Sequence, residues 1–155
     1  MNMNTTSKPA EGPVADDGIS SMGASVTAKV VVIVDDEPMV ATVTQHCLRR
    51  GGYETVVFDD PVAARDWLET PENHADMMIT DHAMPQLTGT ELARSVHEFR
   101  PDLPVIICSG YVNAVYEETS IPDNVKVVLA KPVPTNMLLH EVEKATHMFP
   151  ARGHE

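Results

Sequence analysis

Lys29-Val30-Val31-Val32-Ile33-Val34-Asp35-Asp36-Glu37-Pro38 runs from five consecutive β-branched apolar residues straight into three carboxylates and a proline. An apolar run without alternation reads as a strand covered on both faces, here 29–34. Pro38 suits the first turn of a helix, where its missing N–H would have no partner anyway. Met39, Val40, Val43, Cys47 and Leu48 then recur at helical spacing, as an apolar stripe expected to face a core, until Gly51-Gly52 stops the helix. A two-faced strand followed at once by an amphipathic helix is the opening unit of a parallel α/β sheet.

The alternation continues outward from there. Strands are predicted over 53–58, 76–80, 104–108 and 125–130. Asp60-Pro61 starts a second helix with Val62, Ala63, Trp67 and Leu68 as its stripe. A third helix is predicted over 88–99, a short fourth over 113–119, and a last one over 135–147 with Leu138, Leu139, Val142 and Ala145 facing inward. The pattern is (βα)₅, an α/β doubly wound domain with a five-stranded parallel sheet and helices on both faces. In such folds chemistry collects at the carboxyl ends of the strands.

The chain has 155 residues, enough for one domain with tails. Residues 1–28 are rich in Ser, Gly and Pro without periodicity and read as a flexible leader; 29–149 is the domain, and 150–155 a frayed end. The formal charge is -12, and residues 29–149 carry 19 acidic against 9 basic residues, so the acidity belongs to the domain. Arg49-Arg50 is the only basic pair, so no direct nucleic-acid surface is expected. The longest wholly apolar run is Val30 to Val34, far short of the roughly 18 residues that cross a bilayer, so no membrane insertion is expected. Two cysteines in apolar surroundings, Cys47 and Cys108, favour a reducing, cytoplasmic compartment over a disulfide framework.

Four strand ends carry chemistry. The first ends in Asp35-Asp36-Glu37, the third in Asp81, the fourth in Ser109-Gly110 and the fifth in Lys131-Pro132. With the first and third strands adjacent, three carboxylates share one rim, and their repulsion must be neutralised by Lys131 or by a hard divalent cation such as Mg²⁺. The carboxylate of Asp81 can act as a nucleophile toward phosphorus. Mg²⁺ on Asp36 and Asp81, with Asp35 in support, the ammonium of Lys131 and the hydroxyl of Ser109 would each take one phosphoryl oxygen. The product would be an acyl phosphate, open to water in the same site.

These residues form a set that resembles the response-regulator receiver domain, the phosphoacceptor module of two-component signalling. The matching pieces are Val31-Val32-Ile33-Val34-Asp35-Asp36-Glu37-Pro38, Ile79-Thr80-Asp81-His82-Ala83-Met84-Pro85 with Gly89, Ile107-Cys108-Ser109-Gly110-Tyr111, and Leu129-Ala130-Lys131-Pro132-Val133. They span about 28–149, and their wording is closest to receivers of hybrid sensor kinases or stand-alone receivers. The resemblance implies a flavodoxin-like sheet of strand order 2-1-3-4-5. It implies Asp81 as phosphoacceptor from a histidine kinase or histidine phosphotransfer protein. It implies Asp35 and Asp36 as the metal pocket, the backbone carbonyl of Ala83 as a further Mg²⁺ ligand, Ser109 as the moving hydroxyl, Lys131 as ion-pair partner and Pro132 as a cis-proline. Such a module catalyses its own phosphorylation and dephosphorylation. With no output domain after the last helix, it would signal through protein contact, at the face of the fourth helix, fifth strand and fifth helix, where receivers also form homodimers, or at the first helix, where a kinase bundle would dock.

Some positions depart from the family pattern. Val128 stands where the family often has Tyr or Phe as a rotamer switch, and Ile121-Pro122-Asp123-Asn124 replaces a small Gly- and Ala-rich turn. Ala83 and Tyr111 sit where side chains border the phosphoryl group. His82 is expected to point away from the acceptor, and Trp67 to pack in the core. The seven histidines lack zinc spacing, and no GxGxxG or GxxxxGK stretch exists, so zinc, dinucleotide and P-loop readings fail. Two alternatives remain open: a receiver-like scaffold that never cycles through phosphorylation, and a small Mg²⁺-dependent phosphatase with an Asp nucleophile. The second lacks an acid-base carboxylate two residues after the nucleophile, where Ala83 stands.

Overall fold

The computed structural model describes residues 27–118 and 120–148. Most of the leader read over 1–28 and the end read over 150–155 lie outside the described residues. The elements alternate strictly: β1 Val30–Val34, α1 Pro38–Arg50, β2 Glu54–Phe58, α2 Pro61–Glu69, β3 Met77–Asp81, α3 Gly89–Phe99, β4 Val105–Ser109, α4 Val112–Tyr116, β5 Val125–Ala130 and α5 Thr135–Met148. All five strands are parallel, in the order β2-β1-β3-β4-β5. The expected (βα)₅ topology and its strand order are therefore present.

Successive strand residues point to opposite faces, and the core divides accordingly. On one face Val32, Val34, Met78, Val105 and Ile107 meet Ala64 and Leu68 of α2, Leu92 and Val96 of α3, and Val115 of α4. On the other, Val31, Ile33, Met77, Ile79 and Ile106 meet Leu48 of α1 and Leu138, Val142 and Ala145 of α5. The central strands β3 and β4 are buried along their whole length. Trp67 packs against the first of these clusters, its ring centroid 5.7 Å from that of Phe58.

The helix starts follow local chemistry. Pro38 opens α1 at its first position. Asp60 caps α2 by accepting from Val62 N at 2.9 Å. Thr88 and Glu91 form a reciprocal capping box at α3. Gly52 turns the chain from α1 into β2 at φ +96°, a conformation closed to most side chains.

Four expectations need correction. Met39 and Val43 are not core residues of α1: they are 80% and 61% exposed, while Leu48 of the expected stripe is buried together with Ala41. Met39 and Val43 lie about 180° and 140° around the helix from Leu48, so the side that packs in the core with α5 leaves them in solvent. In α2, Ala63 faces solvent and Ala64 faces inward with Pro61 and Leu68. The fourth helix spans Val112–Tyr116 rather than 113–119. Finally, β3 extends to Asp81 and β4 to Ser109, so both chemical residues belong to strands and not to the loops after them.

Candidate functional site

Asp35, Asp81, Ser109 and Lys131 converge at the carboxyl ends of β1, β3, β4 and β5. Pairing of Ile33 with Ile79 and of Val34 with Thr80 brings the ends of β1 and β3 side by side. The carboxylate oxygens of Asp35, Asp36 and Asp81 consequently include one from each residue, all within 4.8 Å of one another. Asp35 and Asp81 are 5% and 7% exposed, and Asp36 is half-buried.

Lys131 is the cation among them. Its Nζ lies 2.8 Å from Asp81 Oδ1, 3.5 Å from Asp35 Oδ2 and 4.0 Å from Glu37 Oε1. Glu37 was not singled out by the sequence reading; its place right after the Asp pair was the available signal. Lys131 N donates to Ser109 O at 2.9 Å, and the peptide bond from Lys131 to Pro132 is cis, as expected. Burial by itself would lower the Lys131 pKa. The hydrogen bond to Asp81 and the charges of Asp35, Asp81 and Glu37 outweigh it and hold the ammonium above its ordinary value. Asp35 is pushed up, chiefly by burial and further by Asp81, although Glu37 N donates to its Oδ1 at 2.9 Å. Burial also pushes the Cys108 thiol up to about 12.

The loop after β3 is held closely. Thr80 Oγ1 donates to Asp81 O at 2.9 Å. His82 N donates to Cys108 O at 3.0 Å, and Gly89 N donates to His82 O at 2.9 Å. A Cβ on Gly89 would lie 2.7 Å from Asp81 O, so α3 can begin this close to Asp81 only with glycine there. Between them Leu87 N donates to Pro85 O across Gln86 at φ 77°, a tight γ-turn in a left-handed conformation. Ala83 is exposed in this loop, while Met84 inserts into the core. Ser109 is 4% exposed, and its Oγ accepts from Tyr111 N at 2.9 Å. His82 turns toward α4, where its Nε2 lies 3.0 Å from Glu118 Oε2. That pairing, and the Thr90 hydroxyl on the same carboxylate, had no sequence signal, because the partners lie far apart in the chain.

Beside the acidic cluster runs a groove of about 540 Å³ between α1 and the segment after β5. Met39, Val40, Val43 and Cys47 line one wall and Pro132 and Val133 the other, with Asp81 and Lys131 at the acidic end. The donor set of three carboxylates suits a hard divalent cation, and the exposed methionine and valine give the groove an apolar lip.

The model of the response regulator receiver domain family matches residues 31–143. The chain belongs to that family. It is 30% identical over 117 residues to the response regulator receiver protein CpdR of Brucella abortus, covering 75% of this chain and 95% of that one. The CheY-like receiver structure from Methanospirillum hungatei superposes with a TM-score of 0.67 at 26% identity, covering 78% of this chain and 96% of that one. The response regulator TrrA of Thermotoga maritima, solved in complex with Mg²⁺ and BeF, has the same fold, with a TM-score of 0.66 at 23% identity over 76% of this chain and 98% of its own. Other curated relatives are much longer: the chain spans 18% of a response regulator from Arabidopsis thaliana. The receiver therefore carries the two-component class of signalling and the flavodoxin-like fold of its relatives. Among the described residues no helix is long and apolar enough to cross a membrane.

Proposed function

We propose that this receiver is an Mg²⁺-dependent phosphoacceptor that takes a phosphoryl group from a phosphohistidine onto Asp81 and signals through protein contact. The observation that carries this reading is the convergence of three carboxylates within 4.8 Å, with the Lys131 ammonium 2.8 Å from Asp81. Three carboxylates this close repel one another, and a divalent cation beside Lys131 would relieve the repulsion further. Asp35, Asp36, Asp81 and the backbone carbonyl of Ala83 would hold the Mg²⁺. When bound, the cation neutralises charge on the phosphoryl oxygens.

The chain's own residues supply the rest. A carboxylate oxygen of Asp81 forms the new bond to phosphorus, and the electron pair of the broken N–P bond returns to the donor imidazole. Lys131 exchanges its contact with Asp81 for one phosphoryl oxygen, and the Ser109 hydroxyl leaves Tyr111 N–H and donates to another. Water attacking the same phosphorus later restores the carboxylate and releases inorganic phosphate. Ala83 leaves space beside the acceptor, and no carboxylate stands there to assist a leaving group, which argues against the phosphatase reading. Asp36, Asp81 and Lys131 all present in one cluster argue against an inert scaffold.

The donor side would be a histidine kinase or histidine phosphotransfer protein. Its helices would lie against α1, where Met39 and Val43 give apolar area next to the acidic end of the groove. The cytoplasm is the compartment that suits such a partner and keeps Cys47 and Cys108 as thiols.

The deciding experiment is intact-mass analysis after incubation with acetyl phosphate, with and without Mg²⁺. The expected result is a gain of one phosphoryl group in the wild type with Mg²⁺, and none without Mg²⁺ or in Asp81→Asn. Equal uptake by Asp81→Asn overturns the assignment of the acceptor, and equal uptake in EDTA overturns the role of the metal.

A further inference from the structure

The α4 helix is held at both of its ends by residues that adjoin the acceptor. At its start, Tyr111 is the residue before the helix, and its N–H donates to Ser109 Oγ at 2.9 Å. At its end, Glu118 N donates to Val115 O at 3.1 Å, so the glutamate travels with the last turn. The Glu118 carboxylate then reaches back to β3 and α3. Its Oε2 lies 3.0 Å from His82 Nε2, and its Oε1 accepts from Thr90 Oγ1 at 2.6 Å.

This second hold is rigidly founded. The His82 backbone is hydrogen-bonded on both sides, to β4 through its N–H and to Gly89 through its carbonyl. Thr90 is fully buried, and the His82 side chain is only 14% exposed. The segment after α4 is tied to α3 as well, through Arg94 to Ser120 O and Asn124 Nδ2 to Ala93 O. His82 Nδ1 is buried without a hydrogen-bond partner, which favours the tautomer with its proton on Nε2, donated to Glu118. It also leaves a polar atom that a small outward movement of the ring would hydrate.

Val128 of β5 is 7% exposed and lies in the same core cluster as Val115 of α4. A valine has no ring to rotate, so any path from Asp81 to α4 runs through other groups. We propose that the His82–Glu118–Thr90 cluster is that path: His82 is a positioning residue that couples the loop after the acceptor to the C-terminal end of α4. The proposal rests on the phosphoacceptor reading of Asp81. When Ser109 turns to the phosphoryl group it releases Tyr111 N–H, and α4 is freed at its start. The cluster at its end then decides whether the helix pivots with the β3–α3 loop or stays in place.

The test compares hydrogen–deuterium exchange across 111–118 in the wild type, Glu118→Ala, His82→Ala and the double variant. Each is measured before and after acetyl phosphate with Mg²⁺, with intact mass read on the same samples. Glu118 is 31% exposed and outside the core, so its truncation leaves the fold intact. In the wild type, phosphorylation is expected to change exchange across 111–118. In Glu118→Ala the unphosphorylated helix is expected to exchange roughly tenfold faster, the equivalent of one charge-assisted hydrogen bond. Its phosphorylation-dependent change should shrink at 115–118 while phosphoryl uptake persists. The double variant should add little to either single one, because both remove the same contact. Phosphoryl uptake with a wild-type exchange response in Glu118→Ala and His82→Ala overturns the coupling alone. No uptake in the wild type overturns the phosphoacceptor reading and the coupling with it.

Discussion

Removing the Lys131 ammonium from the acidic cluster should cost far more stability than removing the carboxylate of Asp81. At an effective dielectric of about 20, the Lys131–Asp81 contact at 2.8 Å is worth about 6 kcal/mol of attraction. Each carboxylate pair, with oxygens within 4.8 Å, costs at least about 3.5 kcal/mol of repulsion. Asp81→Asn loses the first and relieves two of the second, against Asp35 and Asp36, so its net effect on stability falls near zero. Lys131→Met relieves nothing. It strips Asp35, Asp81 and Glu37 of their shared cation and leaves two nearly buried carboxylates uncompensated. Part of the lost attraction is offset because the lysine no longer has to be desolvated, which leaves about 3–5 kcal/mol of destabilisation. For a domain of this size that is a fall in Tm on the order of 10–20 °C. The assay is urea unfolding at pH 7 in EDTA for the wild type and both variants. Millimolar Mg²⁺ should then recover more stability in Lys131→Met than in the wild type, because the cation binds only the folded rim and replaces the missing charge. A Lys131→Met variant within about 1 kcal/mol of the wild type in EDTA refutes the reasoning, since it would mean that the carboxylates are not electrostatically coupled.

Two further outcomes are expected. At pH 8, iodoacetamide should modify half-buried Cys47 in the folded protein and leave Cys108 untouched until denaturant is added, because a thiol with a pKa of about 12 is ionised to about one part in ten thousand there; peptide mapping reads the sites. Gly89→Ala should destabilise by about 1–3 kcal/mol in urea and slow phosphoryl uptake, since its Cβ would press on Asp81 O at 2.7 Å and His82 Cα at 3.0 Å, both backbone atoms with no room to yield.

The architecture was legible because β1 and β4 are almost wholly apolar runs and α1, α2 and α3 begin on a proline or a recognisable cap. Asp35, Asp36, Asp81, Ser109 and Lys131 were legible for a related reason: polar residues that end apolar strands of a parallel sheet must share one rim. What could not be read was the third dimension of the helices. Met39 and Val43 lie about 180° and 140° around α1 from Leu48, so a list of apolar positions could not say which of the two sides the sheet would cover. The same holds for Ala63 against Ala64. The contact between His82 and Glu118 joins the exit of one strand to the end of a helix three elements later. Periodicity describes one element at a time and contains nothing about such a meeting. The end of α4 was overestimated because Glu117 and Glu118 are good helix formers, whereas Glu118 is engaged by His82 and Thr90 outside the helix.

Burial of β3 and β4 along their whole length has a mechanical consequence. A strand clamped on both faces and bonded on both edges is stiff, so the sheet is an anvil rather than a spring. Work done on Asp81 is spent at the rim, in the loops that carry Met84, Tyr111 and Lys131. At the opposite end of the sheet, Asp76 accepts from Val30 N, and Arg100 gathers the carbonyls of Leu68, Thr70 and Asn73. That end is shielded from the rim by the full length of the strands. A fluorophore or spin label placed on the turn at 70–73 is thus a silent reference, against which movement at the rim can be measured within one molecule.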